Sequence, residues 1–123
     1  MSEFRALGVP GATFVGLETF PAPQTVTRVE LESDEVSAVC PITGQPDWYR
    51  VRIAYVPGER CVESKSLKLY LQSFRNEGIF CEAFAARIAR DLSETLECPV
   101  NVTVVQKARG GITIEATARC DTT

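Results

Sequence analysis

Apolar and polar residues alternate most regularly over residues 48–56, where Tyr49, Val51, Ile53 and Tyr55 face one way and Arg50 and Arg52 the other, before Pro57 and Gly58 end the run. A period of two is that of a half-buried β-strand. The same alternation predicts a strand over 25–32, with Val29 and Leu31 set against Arg28, Glu30 and Glu32, and two later ones through Val100, Val102, Val104 and through Ile112, Ile114, Ala116. Between these pairs of strands the period changes to that of a helix. Leu67, Tyr70, Leu71 and Phe74 predict a helix over 64–76 closed by Gly78, and Cys81, Phe84, Ala85, Ile88 and Leu92 predict a second one stopped by Pro99. Residues 33–46, turned by Pro41, Gly44 and Pro46, read as a loop around Cys40. Residues 1–24 are rich in glycine and proline and read as an arm anchored by Phe14, Leu17 and Phe20, ahead of a folded domain over 25–118 and a tail over 119–123. The order β, β, α, α, β, β predicts an α+β fold, an antiparallel four-stranded sheet with both helices on one face. So small a sheet leaves its edges and second face uncovered, and a homo-oligomer is the expected remedy.

Composition narrows the chemistry. A chain of 123 residues holds one domain, with no room for a second nucleotide-binding unit. No apolar run approaches the ~20 residues of a membrane span, and the first residues lack the build of a signal peptide, so a cytoplasmic location is expected. Five cysteines without any C-x-x-C pair, and no histidine at all, argue against a metal site and exclude Cys-His and Ser-His catalysis. Acid-base work is left to Asp, Glu, Lys, Tyr or Cys. The net charge of −3 speaks against a broad nucleic-acid surface. A small-molecule partner is expected instead. Lys65 and Lys68 stand in the first turns of the first helix, where the helix dipole favours anions, so they are either a solvated face or the holders of an anionic ligand. Asp47 is a turn former or a carboxylate folded back toward Cys40; Glu82, in the first turn of the second helix, is a dipole stabiliser or a ligand anchor.

Four segments carry a resemblance that reaches further. Leu17-Glu18-Thr19-Phe20-Pro21, Cys40-Pro41-Ile42-Thr43-Gly44-Gln45-Pro46-Asp47, Glu63-Ser64-Lys65-Ser66-Leu67-Lys68-Leu69-Tyr70 and Arg109-Gly110-Gly111-Ile112 resemble the NADPH-dependent 7-cyano-7-deazaguanine reductases, the nitrile reductases of queuosine (tRNA modification) biosynthesis. The resemblance implies the tunnelling fold, in which subunit sheets join into a multimeric barrel with active sites between chains. It implies that Cys40 attacks the nitrile carbon to give a covalent thioimide and that Asp47 moves the protons. It makes Glu82, with Glu63 and Ser64, the holders of the deazapurine substrate, and Lys65, Lys68 and Arg109 the holders of NADPH, with no metal. No Gly-x-Gly-x-x-Gly fingerprint is present, so the cofactor is expected on surface cations. The alternatives are an ammonia-adding relative that makes an amidine from the same thioimide, or a purine-binding subunit with impaired turnover. Cys81 departs from the family pattern, which has a histidine before the anchoring glutamate. Cys81 is then either a core residue or a poorer proton donor, and a second thiol able to pair with Cys40.

Overall fold

The computed structural model describes residues 13–121. Four long strands make one antiparallel sheet in the order β2-β3-β5-β6: β2 (Val29–Val39), β3 (Pro46–Tyr55), β5 (Val100–Arg109) and β6 (Ile112–Cys120). The helices α1 (Ser64–Gln72) and α2 (Cys81–Leu96) lie on one face, α1 against β2 and α2 against β5 and β6. Alternation decides that face. Val36, Ala38, Tyr49, Val51, Ile53, Tyr55, Val100, Val102 and Val104 are at most 2% exposed, whereas Trp48 on the opposite face is 52% exposed. The helical stripe Cys81, Phe84, Ala85, Ile88 and Leu92 closes the core from above, each residue at most 1% exposed.

The expected strand over 25–32 and loop over 33–46 are both corrected. The chain is extended from Val29 to Val39, and a β-bulge between Ser33 and Val36 is the reason. Before the bulge Leu31 stands opposite Ile53 and Ser33 opposite Val51; after it Val36 stands opposite Tyr49 and Ala38 opposite Asp47. One extra residue shifts the phase by one, so the inward set passes from odd to even numbers and the period of two is hidden. The bulge also carries the strand directly up to Cys40.

The first helix ends at Gln72 rather than 76. Ser73 Oγ donates to the Tyr70 carbonyl at 2.5 Å, and Phe74, Arg75 and Glu77 donate to carbonyls three residues back, which tightens the chain into turns. Gly78 is therefore not the helix terminator. It bridges Val39, and a Cβ there would stand 3.4 Å from Pro41 Cα, so glycine lets the connector pass close to the Cys40 loop.

Two short strands escaped the sequence pattern, β1 (Thr19–Pro21) and β4 (Arg60–Val62), which pair with each other. Three residues are too few to show a period. They fasten the arm to α1: Glu63 N donates to Glu18 O at 2.8 Å, and Glu18 N donates to Ser66 Oγ at 2.9 Å. Phe14 packs edge-on to Tyr70, with centroids 5.6 Å apart, and Leu17 packs on the core, whereas the Phe20 side chain is 37% exposed and the residue is held through its strand pairing with Cys61. The rest of the arm, residues 1–12, lies outside the described residues, as do 122–123 of the tail. Gly110 and Gly111, both with positive φ, make the two-residue turn from β5 to β6. Ile112, read from sequence as inward, is 66% exposed at that turn. No helix among the described residues is long and apolar enough to cross a membrane.

Candidate active site

Cys40 follows the last residue of β2 and opens a tight loop. Its N–H donates to Gln45 O and its carbonyl accepts from Gly44 N–H, both at 2.8 Å, with Gly44 at positive φ. The loop turns its donors toward the sulfur: the Thr43 N–H first, then the Thr43 hydroxyl and the Ile42 N–H, hold the half-exposed Cys40 thiol below its ordinary pKa. Burial and the Asp47 carboxylate act the other way, more weakly. The net effect is a larger thiolate fraction near neutral pH, which is what a nucleophile needs.

Asp47 is the second residue of β3 and, standing opposite Ala38, faces the core side of the sheet at 7% exposure. Its Oδ1 is 3.3 Å from Arg109 Nη1. The same guanidinium donates to Pro46 O and to Gln45 Oε1, each at 2.8 Å, so Arg109 ties the end of β5 to the Cys40 loop. Cys81 begins α2 at 1% exposure; its Sγ is 3.5 Å from the Val104 carbonyl and 3.9 Å from that of Ile114. Burial pushes the Cys81 thiol up, with the Glu82 carboxylate adding to it, so this thiol stays protonated at neutral pH. Glu82, next along, is exposed in the first turn of α2.

Beneath these groups lies Tyr49, two residues beyond Asp47 on the same strand face. It is fully buried, its ring edge-on to Phe84 with centroids 5.2 Å apart, and its hydroxyl has no hydrogen-bond partner among the described residues. The carboxylates and thiols bearing on that hydroxyl are Asp47, Cys81, Cys40 and Glu82, in that order. The sequence reading missed Tyr49, because Tyr55 occupies an equivalent position on the same strand and its hydroxyl is used, accepting from Val62 N–H at 3.0 Å. Thr43 and Gln45 were likewise read only as loop residues.

The lysines lie elsewhere. Lys65, Lys68 and Ser64 line a groove of about 670 Å³ between α1 and β2, whose other wall carries Glu32, Asp34 and Glu35. Arg109 does not line this groove, so a single chain does not gather the three expected cofactor cations. Glu63 is the N-cap of α1: its two carboxylate oxygens accept from Lys65 N at 2.8 Å and Ser66 N at 2.6 Å. That carboxylate also supplies the negative charge that two lysines at a helix N-terminus lack. No cluster of three metal-ligating side chains occurs among the described residues.

A family described as QueF-like protein matches residues 46–123. Among curated relatives, the NADPH-dependent 7-cyano-7-deazaguanine reductase of Anaeromyxobacter sp. (strain K) is 52% identical over 107 residues, 84% of this chain and 87% of the relative. The protein of the same name from Frankia casuarinae is 50% identical over 104 residues, covering 83% and 82%. That of Syntrophobacter fumaroxidans is 46% identical over 115 residues, covering 90% and 74%. A solved structure, the archaeosine synthase QueF-Like in the apo form, superposes with a TM-score of 0.72 at 24% identity over 80% of this chain and 94% of the other, a likeness of fold.

Proposed function

Since the chain belongs to the QueF-like family, we propose that it is an NADPH-dependent reductase that converts the nitrile of 7-cyano-7-deazaguanine to an aminomethyl group through a thioimide on Cys40. The observation that carries the assignment of residues is the pairing of an activated thiol with a carboxylate at the junction of β2 and β3. Cys40 sulfur bonds to the nitrile carbon, one π bond of the triple bond breaks, and the thiol proton passes by way of Asp47 to the nitrogen. NADPH, when bound, would supply the hydride for two reductions of that carbon, and between them the carbon–sulfur bond would break, returning the Cys40 thiolate and leaving an imine for the second hydride. Each reduction leaves a nitrogen that takes up a proton, and Asp47, held at the mouth of the site by Arg109, is the titratable group beside the sulfur to relay it.

Glu82 suits the purine anchor: its carboxylate is exposed and accepts two parallel hydrogen bonds from a guanine-like edge. Ser64 stands in the lysine-lined groove, while the capping role of Glu63 leaves its contact with substrate to be made through the position of the α1 N-terminus. Lys65 and Lys68 fit the phosphates of NADPH as cations on one wall of the groove. Arg109 completes that set across a subunit boundary, with the open edges β2 and β6 joining neighbouring chains into a homo-oligomer. Relatives at 46–52% identity carry the reductase name, which favours reduction over amidine formation.

The test mixes the protein with the nitrile base and NADPH and follows the nicotinamide absorbance. Two NADPH oxidised per base, a covalent mass adduct in the absence of NADPH, and loss of that adduct in Cys40→Ala are expected. An adduct without NADPH oxidation would turn the reading to the amidine-forming reaction, and an adduct that survives Cys40→Ala would overturn the assignment of the nucleophile.

A further inference from the structure

The Tyr49 hydroxyl is a fully buried group beside the site that the mechanism leaves unused. A buried hydroxyl without a partner is destabilising, and phenylalanine would fill the same space without that cost. Such a group persists where it has work to do. The ring is fixed against Phe84, so the hydroxyl cannot turn to solvent. The groups facing it are named by element: Asp47 on its own strand β3, Cys40 in the loop after β2, and Cys81 and Glu82 on α2, with Arg109 at the end of β5 bound to Asp47. Every one except Arg109 is an acceptor when ionised. Glu82 is exposed and Cys81 packs against the β5 carbonyl, which leaves Asp47 as the carboxylate within the core side of the sheet, one i,i+2 step (~7 Å along the strand) away.

Resting on the reductase reading, we infer that Tyr49 is a positioning residue: its hydroxyl donates to the Asp47 carboxylate when substrate draws that carboxylate from Arg109 into the site. Arg109 then holds Asp47 in the empty site and Tyr49 holds it in the occupied one. Burial, and the negative charges around it, push the Tyr49 hydroxyl far above its ordinary pKa, so it remains a neutral donor over the working range and gives up no proton itself. A donor to a carboxylate favours its ionised form, the form that accepts the Cys40 thiol proton on its way to the nitrile nitrogen.

Tyr49→Phe tests this through three readings: melting temperature, the pH dependence of thioimide formation followed by mass, and NADPH oxidation. The expected result is a melting temperature equal to or above that of the parent, thioimide formation slowed about tenfold at pH 7, and a pH profile whose acid limb differs from that of the parent. In an Asp47→Asn background the same change should add nothing further. A Tyr49→Phe protein with parental rate and acid limb overturns the inference, as does one whose melting temperature falls by several degrees along with activity, which would make Tyr49 a packing residue. If the parent protein itself forms no adduct and oxidises no NADPH, the reductase reading falls and this inference with it; failure in Tyr49→Phe alone removes only the role of Tyr49.

Discussion

Thr43 does more for Cys40 than its place in a turn suggests. Its N–H and its hydroxyl both hold the thiol below the ordinary value, and the hydroxyl oxygen in turn accepts from Gln45 N–H at 3.3 Å. Thr43→Val keeps the N–H and removes the hydroxyl. Because a lowered pKa means more thiolate at neutral pH, losing one of its causes raises the pKa and cuts the thiolate. Alkylation of Cys40 by iodoacetamide at pH 7 is then expected to slow severalfold, with its pH midpoint displaced upward; an unmoved midpoint would leave the backbone donors as the whole cause. Cys81 answers the opposite way. At 1% exposure, with its thiol against the Val104 carbonyl, it is packed into the core. Cys81→Ala should cost about 1 kcal/mol in chemical denaturation and leave the adduct rate within about twofold of the parent. A large loss of adduct rate at unchanged stability would return Cys81 to the chemistry.

At the scale of elements, α1 depends on one carboxylate. Glu63 is 8% exposed, caps two backbone N–H groups, and receives the arm through Glu18 O. Glu63→Ala exposes a helix start that carries Lys65 and Lys68, and about 1–2 kcal/mol of stability is expected to go, read as a melting temperature several degrees lower. The arm should loosen with it, shown by faster amide exchange at residues 18–22. A variant that melts like the parent but binds the base weakly would make Glu63 a substrate ligand first and a cap second. The same element perspective explains Asp47. The unbroken alternation of β3 puts Asp47 on the core side with Tyr49, and the bulge in β2 brings Ala38 opposite it, two residues before Cys40.

The whole molecule is a sheet covered on one face. Both edge strands, β2 and β6, are long and unpaired among the described residues, and the outer face presents Trp48 at 52% exposure, with Ile112 at 66% at its rim. An open, partly apolar sheet invites another chain at its edge. Sedimentation of the protein at micromolar concentration is expected to show a closed multimer several times the 13.5 kDa chain mass, with Trp48 fluorescence shifted to the blue relative to a dissociated sample. A stable monomer that oxidises NADPH with the nitrile base would show that Lys65, Lys68 and Arg109 act without a neighbouring chain.

How much was legible in the sequence varies with the range of the interaction that decides it. Local periodicity carried β3, β5, β6 and the buried stripe of α2, because a period of 2 or 3.6 is written in consecutive residues and burial simply obeys it. The conjunction of Cys40 and Asp47 was legible from a short motif, since seven residues and a proline-glycine turn bring them together without help from the rest of the chain. What the sequence did not reveal depends on contacts across long separations. The bulge at Ser33–Val36 is defined only by the partner strand β3, the short pair β1 and β4 only by each other, and the early end of α1 by a serine hydroxyl competing for a carbonyl. Arg109 reads as a cation in a glycine turn and becomes a clamp on Gln45, Pro46 and Asp47 only when β5 is laid beside β3, 63 residues away in the chain from Pro46. Tyr49 and Tyr55 are indistinguishable as letters on one strand face. Only the packed structure gives one hydroxyl a backbone partner and leaves the other without a partner among the described residues, because hydrogen bonding is settled by where side chains end and not by the period that buries them.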